Sequence, residues 1–351
     1  MSGMVEMVTA YKHRQGDAAC VQGRLIRVLY LFPGEAEGSA MIFAKKQVEV
    51  VREAGVAAET FCLASRTDLR SLRRESIRLR GLMDSFRPDL VHAQYGTMTA
   101  FVASLIATVP LVITFRGSDL NPAPSDLWIR SALRRCLSQY AARKAARNIC
   151  VSQGLARRLW WAGDRTVVLP SGVDTNLFVP RSRSDVRQEL GWAEHERIVL
   201  FNAGLSPAVK RLDLAQAAVS EASKVGGPIR FVTLDGRVPH STVATMLNGA
   251  DCLLLTSDWE GSPTIVQEAL ACNLPVVSVD VGDVRERLQG VVPSKIVERN
   301  PQALASGLAE MLARPVRSNG RCFTALVAQE HIVRRTIDLY REVLGPARVT
   351  C

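Results

Sequence analysis

Residues 251–279 read D-C-L-L-L-T-S-D-W-E-G-S-P-T-I-V-Q-E-A-L-A-C-N-L-P-V-V-S-V, and this stretch decides the fold class. Asp251–Thr256 and Pro275–Val279 are short, continuously apolar runs of strand length, and Pro263–Ala271 between them has helical spacing. Ser262 followed by Pro263 predicts a helix start. The hydroxyl can cap, and a proline at the first helical position gives up an N–H that would lack a partner anyway. Strand, helix and strand in this order, with strands apolar on both faces, form the repeating unit of a parallel sheet covered by helices.

The same alternation extends upstream through Arg197–Ala203, Leu212–Ala222, Ile229–Leu234 and Val243–Leu247. It is interrupted by a Pro-, Gly- and Asp-rich, charge-dense stretch, Pro170 to Asp185. Before that lies a second series: Leu25–Phe32, Ala40–Glu53, Ala57–Leu63, Leu69–Phe86, Asp89–Ala93, Thr97–Ala107, Leu111–Phe115, Leu127–Arg147, Asn148–Ser152 and Thr166–Leu169. The expected fold is therefore α/β, two Rossmann-like doubly wound domains facing a cleft, with ligands at the carboxyl ends of the strands. The expected boundaries are a loose leader over 1–23, a first domain over 24–172 and a second over 173–330. The C-terminal segment 331–351, helical to about Leu344, is expected to pack back on the first domain.

A chain of 351 residues, 47% hydrophobic and 22% charged, buries more than one core and is too apolar for wholesale disorder. Its net charge of +10 is uneven. Up to Pro170 there are 24 Lys and Arg against 14 Asp and Glu, and the remainder of the chain balances at 20 of each. The excess concentrates in Arg66–Arg80 and Arg130–Arg147, followed by Arg157, Arg158, Trp160 and Trp161. Such a half is either a set of solvated helix faces or a surface for an anionic acceptor or membrane. Nucleic acid is disfavoured, because aromatics are not interleaved with the cations as a stacking platform and no zinc finger or RNP-like motif occurs.

The absent motifs narrow the chemistry. No G-x-G and no G-x-x-x-x-G-K-[ST] occurs, against a conventional dehydrogenase or P-loop enzyme. No H-E-x-x-H or G-x-S-x-G occurs, and the five histidines are scattered. The missing D-x-D removes the usual carboxylate pair for a divalent metal on a diphosphate, so the expectation is no metal and no cofactor. Eight cysteines without a C-x-x-C pair read as reduced thiols. The longest apolar stretch, Phe101 to Phe115, is too short to span a bilayer, and residues 1–23 lack a secretion-signal core. A cytoplasmic protein, peripheral on the inner face of a membrane, is expected.

The segment 258–271 carries the chemistry. Free N–H groups of Thr264 and Ile265, with the positive end of the helix dipole, can hold an anion such as a diphosphate. Glu260 precedes the helix and Glu268 lies within it, roughly 7.5 Å along the axis from Pro263. A carboxylate accepts two hydrogen bonds from vicinal hydroxyls, which ribose and hexose rings both present. On composition alone the pair could equally be two solvated glutamates at a helix start.

E-G-S-P-T-I-V-Q-E resembles the E-x7-E signature of the retaining glycosyltransferases of family 4, also called glycosyltransferase group 1. Further matches occur in order: the strand and turn near Leu31–Ser39, D-L-V-H-A-Q-Y-G (89–96), V-I-T-F-R-G-S-D-L (112–120), V-L-P-S-G-V-D-T-N-L-F-V-P (168–180), P-A-V-K-R-L-D-L-A (207–215) and L-N-G-A-D-C-L-L-L-T-S (247–257). The resemblance spans about residues 25 to 345 and implies the GT-B fold and a nucleoside-diphosphate sugar donor. It implies that Glu260 approaches the transferred sugar, Glu268 the ribose, and Lys210 the diphosphate, with Ser262, Thr264 and Ile265 at the helix start. Arg211 either assists Lys210 or faces water. Gly38 either lets backbone approach the donor or is an ordinary turn glycine.

Two positions depart from many relatives. Leu205 stands where an arginine often gives a second cation on the diphosphate. Arg116 stands where histidine is common; it reads either as an anion contact or as the ion-pair partner of Asp119. His92, at its strand's end, is either an acceptor-side group or bonded to backbone.

The expected activity is transfer of a hexosyl or N-acetylhexosaminyl group, with retention and without metal, to a hydroxyl on a lipid-linked, polysaccharide or secondary-metabolite acceptor. Alternatives are a degenerate GT-B binding or scaffold protein and a GT-B nucleotide-sugar isomerase. Base recognition is expected in the loop after Leu234, and closure about 170–185 is expected to assemble the site.

Overall fold

The structure, a computed structural model, describes residues 20–21, 24–35, 41–64, 68–121, 128–161 and 163–345. A two-residue antiparallel ladder, β1 (Cys20–Val21) with β2 (Arg24–Leu25), precedes the first sheet. That sheet comprises β3 (Arg27–Pro33), β4 (Ala57–Leu63), β5 (Leu90–Ala93), β6 (Leu111–Phe115), β7 (Arg147–Cys150) and β8 (Thr166–Val168). All are parallel, in the order β4-β3-β5-β6-β7-β8. Between them run α1 (Ile42–Glu53), α2 (Leu69–Phe86), α3 (Thr97–Ile106) and α4 (Trp128–Lys144).

Strand alternation divides β3 between two cores. Leu29 and Leu31 join the cluster with Leu79, Ala103 and Ala141, whereas Val28, Tyr30 and Phe32 join the opposite face with Ala44 and Val48 of α1. Helix α2 starts where the Asp68 carboxylate accepts from the Ser71 N–H at 2.7 Å.

The second sheet contains β9 (Ile198–Asn202), β10 (Arg230–Leu234), β11 (Cys252–Leu255), β12 (Val276–Val279) and β13 (Lys295–Val297), parallel in the order β10-β9-β11-β12-β13. Its helices include α5 (Arg183–Leu190), α6 (Leu212–Gly226), α7 (His240–Gly249), α8 (Thr264–Ala271) and α9 (Pro301–Ala313). The charge-dense stretch ends inside α5, which Ser182 caps. In each sheet the order reverses beside the first long strand, between β3 and β5 and between β9 and β11. Ligand crevices of doubly wound sheets open at the carboxyl ends of such strands.

The last helix, α10 (Gln329–Leu344), returns to the first sheet. Val333, Ile337 and Tyr340 enter its core, and the Tyr340 hydroxyl lies 2.7 Å from that of Tyr30. The chain crosses between the two layers side by side with itself: Val173 donates to the Val327 carbonyl at 2.9 Å, and Gln329 donates to that of Val173 at 2.8 Å. A Cβ on Gly172 would sit 2.8 Å from the Gln329 Cα, so this crossing needs a glycine. No helix among the described residues is long and apolar enough to cross a membrane.

Candidate active site between the two domains

The segment after β11 is positioned by contact across the domains. A Cβ on Gly261 would fall 1.9 Å from the Arg116 carbonyl oxygen, so the loop after β6 lies directly on the E-G-S-P turn. On one side of that turn is a cavity of about 280 Å³ lined by Asn121, Ser152 and Arg158 of the first domain and Asp258, Glu260 and Gly282 of the second. On the other is a cavity of about 540 Å³ lined by Asn202, Arg237, His240, Thr264, Glu268 and, from α1 of the first domain, Lys46. The two glutamates of the motif therefore open onto different cavities, separated by the start of α8.

Glu260 is held by two donors. The Lys210 ammonium lies 2.5 Å from its Oε1, and the Ser257 hydroxyl donates to the same oxygen at 2.7 Å. Lys210 ends a one-turn helix, Pro207–Lys210, whose last carbonyl accepts from the Thr256 hydroxyl at 2.7 Å, fixing that turn to the end of β11. Glu268 is 9% exposed, and burial pushes its carboxyl up to about 7, with the Lys46 charge opposing.

Helix α8 begins at Thr264, one residue later than the Ser-Pro pattern predicts, and Pro263 occupies the cap position without a side-chain cap. Ser262 does not cap. Its hydroxyl donates to Asp283 at 2.8 Å and accepts from the Gln267 amide at 2.9 Å. The backbone N–H groups of Thr264 and Ile265 have no hydrogen-bond partner among the described residues, and both residues line the larger cavity. Donors left bare at a helix start suit an anion.

Three expectations are corrected. Arg211 is not turned to the site: its guanidinium is bidentate on Asp213 at 2.9 Å and reaches Asp258 at 3.3 Å, which raises its pKa. His92 is not on the acceptor side. It is 1% exposed, with Nδ1 2.6 Å from the Tyr340 hydroxyl and Nε2 2.7 Å from that of Thr114, and burial pushes it down to about 3. Asp119 is buried too, accepting from the backbone N–H of Gly96, Arg116 and Gly117 at 2.8–3.1 Å. It shapes the loop through backbone, not through an ion pair with the Arg116 side chain.

Arg116 instead donates to the Gln94 carbonyl at 3.2 Å, to the Gln94 side chain and to Ser171 at 3.2 Å, and lies 4.9 Å from the Phe43 ring centre. All are neutral partners, and the buried Asp119 carboxylate acts on the guanidinium charge without a direct bond to it. Gly38 lies outside the described residues. Sequence reasoning missed Lys46 and Asn202. The loop after Leu234 lines the larger cavity from Gly236 to Ser241.

Two family profiles match the chain, "Glycosyltransferase Family 4" over residues 35–177 and "Glycosyl transferases group 1" over residues 188–314. The chain belongs to the family 4, group 1, glycosyltransferases. TuaC of Bacillus subtilis (strain 168), a glycosyltransferase provisionally assigned to teichuronic acid biosynthesis, is 30% identical over 241 residues, 63% of this chain and 60% of TuaC. The D-inositol 3-phosphate glycosyltransferase of Thermobispora bispora is 25% identical over 69% of this chain and 66% of its own length. The chain thus spans less than two thirds of these curated relatives.

Among solved structures, sucrose-phosphate synthase from Thermosynechococcus elongatus superposes with a TM-score of 0.78 at 17% identity, over 91% of this chain and 99% of that one. Anabaena HepE in complex with UDP and glucose gives 0.68 at 18% identity, over 90% and 99%. Both share the GT-B fold with this family 4 chain.

Proposed function

We propose that the chain transfers a hexosyl or N-acetylhexosaminyl group from a nucleoside-diphosphate sugar to a hydroxyl acceptor, with retention and without a metal. The observation that carries this reading is the placement of Glu260 and Glu268 on two cavities either side of bare amides, with Lys210 on Glu260. The nucleotide would occupy the larger cavity, its ribose on Glu268 and its diphosphate on the amides of Thr264 and Ile265. Lys46 and Arg237 line that cavity, so neutralising the diphosphate does not fall to Lys210 alone although Leu205 offers no charge. The sugar would lie toward Glu260, and the acceptor would enter through the smaller cavity.

In the step itself the bond from the anomeric carbon to the diphosphate oxygen breaks. A bond to the acceptor oxygen forms on the same face, and the acceptor proton passes to the departing diphosphate. The residues contribute position and charge: cations and amides stabilise the growing negative charge. Arg116, hydrogen-bonded to Gln94 and Ser171, would contact an anion on donor or acceptor.

Relatives and neighbours support a nucleotide-sugar donor without agreeing on its base. One relative is a GDP-mannose-dependent α-mannosyltransferase, and one neighbour holds UDP-glucose. TuaC favours a polysaccharide acceptor over a lipid-linked or secondary-metabolite one. The deciding experiment is a thermal-shift screen over UDP, GDP and ADP, then product analysis with the sugar of the stabilising base. Stabilisation by one base with acceptor-dependent release of that diphosphate supports transfer. Binding without release for any acceptor overturns it in favour of a scaffold, and conversion of the donor alone overturns it in favour of an isomerase.

A further inference from the structure

The outward face of α4 is built unlike a solvated helix. Ile129, Leu133, Cys136 and Tyr140 follow one another at intervals of four, three and four residues, so they form one stripe along the helix. That stripe points away from the core: Ile129 is 61% exposed, Leu133 58% and Tyr140 41%, whereas Ser138, Ala141 and Ala142 face inward. Next to it stand two further exposed rings, Trp160 and Trp161. They are held there by the fully buried Gln139, whose amide donates to the Arg158 carbonyl at 2.8 Å and accepts from the Trp160 N–H at 2.9 Å. A core side chain thus fixes a tryptophan pair at the surface.

The stretch of chain that builds this strip carries charge of one sign. Residues 128–161 contain eight Lys and Arg and no Asp or Glu. Arg135 lies over Trp160 at 5.7 Å, Arg143 over Trp161 at 5.3 Å and Lys144 over Tyr140 at 5.9 Å. Amphipathic rings beside long cations suit the boundary between water and lipid, where rings enter the acyl edge and cations meet anionic headgroups.

We infer that the α4 face with Trp160 and Trp161 is a docking surface for an anionic lipid bilayer. A second copy of the chain fits poorly, because a two-fold contact through this patch would oppose Arg135, Arg143 and Lys144 to their own copies. The surface also runs to the cleft. Arg158 lines both the hollow at the edge of α4, with Trp128 and Arg135, and the small cavity that holds Glu260. A bilayer seated on α4 would lie beside the acceptor entrance. The docking rests on the surface alone and stands whether or not the transfer reading does.

The test is co-sedimentation of the full chain with vesicles of phosphatidylcholine alone or of phosphatidylglycerol and phosphatidylcholine in equal parts. The expected result is binding to the anionic vesicles only, weakened by salt and accompanied by a blue shift of tryptophan fluorescence. Arg143→Gln with Lys144→Gln, and separately Leu133→Glu, should each weaken binding about tenfold or more while melting stays unchanged. Lys224→Gln on the second domain should leave it intact. Equal binding to neutral vesicles, no binding, or variants that bind as the parent does overturn the assignment. So does a dimer in sedimentation velocity that Leu133→Glu dissolves, or poly-glutamate competing as well as anionic vesicles.

Discussion

Lys210 places its ammonium 2.5 Å from Glu260 Oε1, so the cation expected on the diphosphate and the acid expected on the sugar hold each other. The pair is one-fifth and one-tenth exposed, and Glu260 lines the smaller cavity. A donor diphosphate would compete with Glu260 for Lys210, and binding therefore includes an exchange of partners. Glu260→Gln removes the competing charge and should leave nucleoside-diphosphate affinity unchanged or tighter, while turnover falls about a hundredfold or more. Lys210→Ala should weaken that affinity by about 1.5–3 kcal/mol, the range of a charge-assisted bond. Isothermal titration beside initial rates checks both. Nucleotide binding weakened by Glu260→Gln would contradict the exchange.

Glu268 gives the site a pH signature. Burial raises its folded pKa to about 7, above the ordinary value near 4.3 of an unfolded chain. Between those values the folded state holds more protons than the unfolded one. The contribution is therefore present at low pH and lost as pH rises through about 7. Glu268→Gln should lack this slope, giving a difference of at most about 3 kcal/mol between pH 4 and 8. Ribose hydroxyls donate to the ionised form, so the parent's nucleotide affinity should also rise with pH more steeply than the variant's. Parallel melting curves and parallel affinity profiles for the two proteins would sink the assignment of Glu268 to the ribose.

Much of this was legible in residue order, because apolar periodicity decides which runs become buried parallel strands and which become covering helices. The E-x7-E spacing and Lys210 were legible too, since all lie close to strand ends that one sheet brings together. What was not legible depends on contacts distant in sequence. Ser262 looks like a cap until Asp283 and Gln267 take its hydroxyl, and Arg211 looks like a phosphate ligand until Asp213 and Asp258 do the same. Lys46 is one of two adjacent lysines on α1, and only the docking of the domains decides that it reaches the cavity of Glu268. His92 sits at a strand end like a site residue, but α10 returns over it from the far end of the chain.

Gly261 tests whether the domain contact matters for turnover. A methyl group there would lie 1.9 Å from the Arg116 carbonyl and 3.0 Å from Val151 Cγ2, so Gly261→Ala must push the first domain off the turn. Overpacking of this kind costs about 1–3 kcal/mol. The helix start and the walls of the nucleotide cavity belong almost entirely to the second domain, so nucleotide affinity should survive while transfer falls at least tenfold. Scattering in solution should show a larger radius of gyration than in the parent. Unchanged transfer with an unchanged radius would mean that the contact is not part of the working state.

His92 is a buried, neutral tie between β5, β6 and α10. Its folded pKa of about 3 lies below the ordinary value near 6.5, so the unfolded chain binds the extra proton between those values. Stability from this group is present above about pH 6.5 and is lost as pH falls toward 3, opposite in sign to Glu268. His92→Leu should remove that acid slope and, at neutral pH, cost about 1–3 kcal/mol for the Thr114 hydroxyl it leaves unpaired, while the Tyr340 hydroxyl keeps that of Tyr30. Because α10 is tied to the first sheet and not to the cavities, KM for donor and acceptor should not move at temperatures where the variant is folded. A raised acceptor KM with unchanged melting would return His92 to the acceptor side and refute its role as a tie.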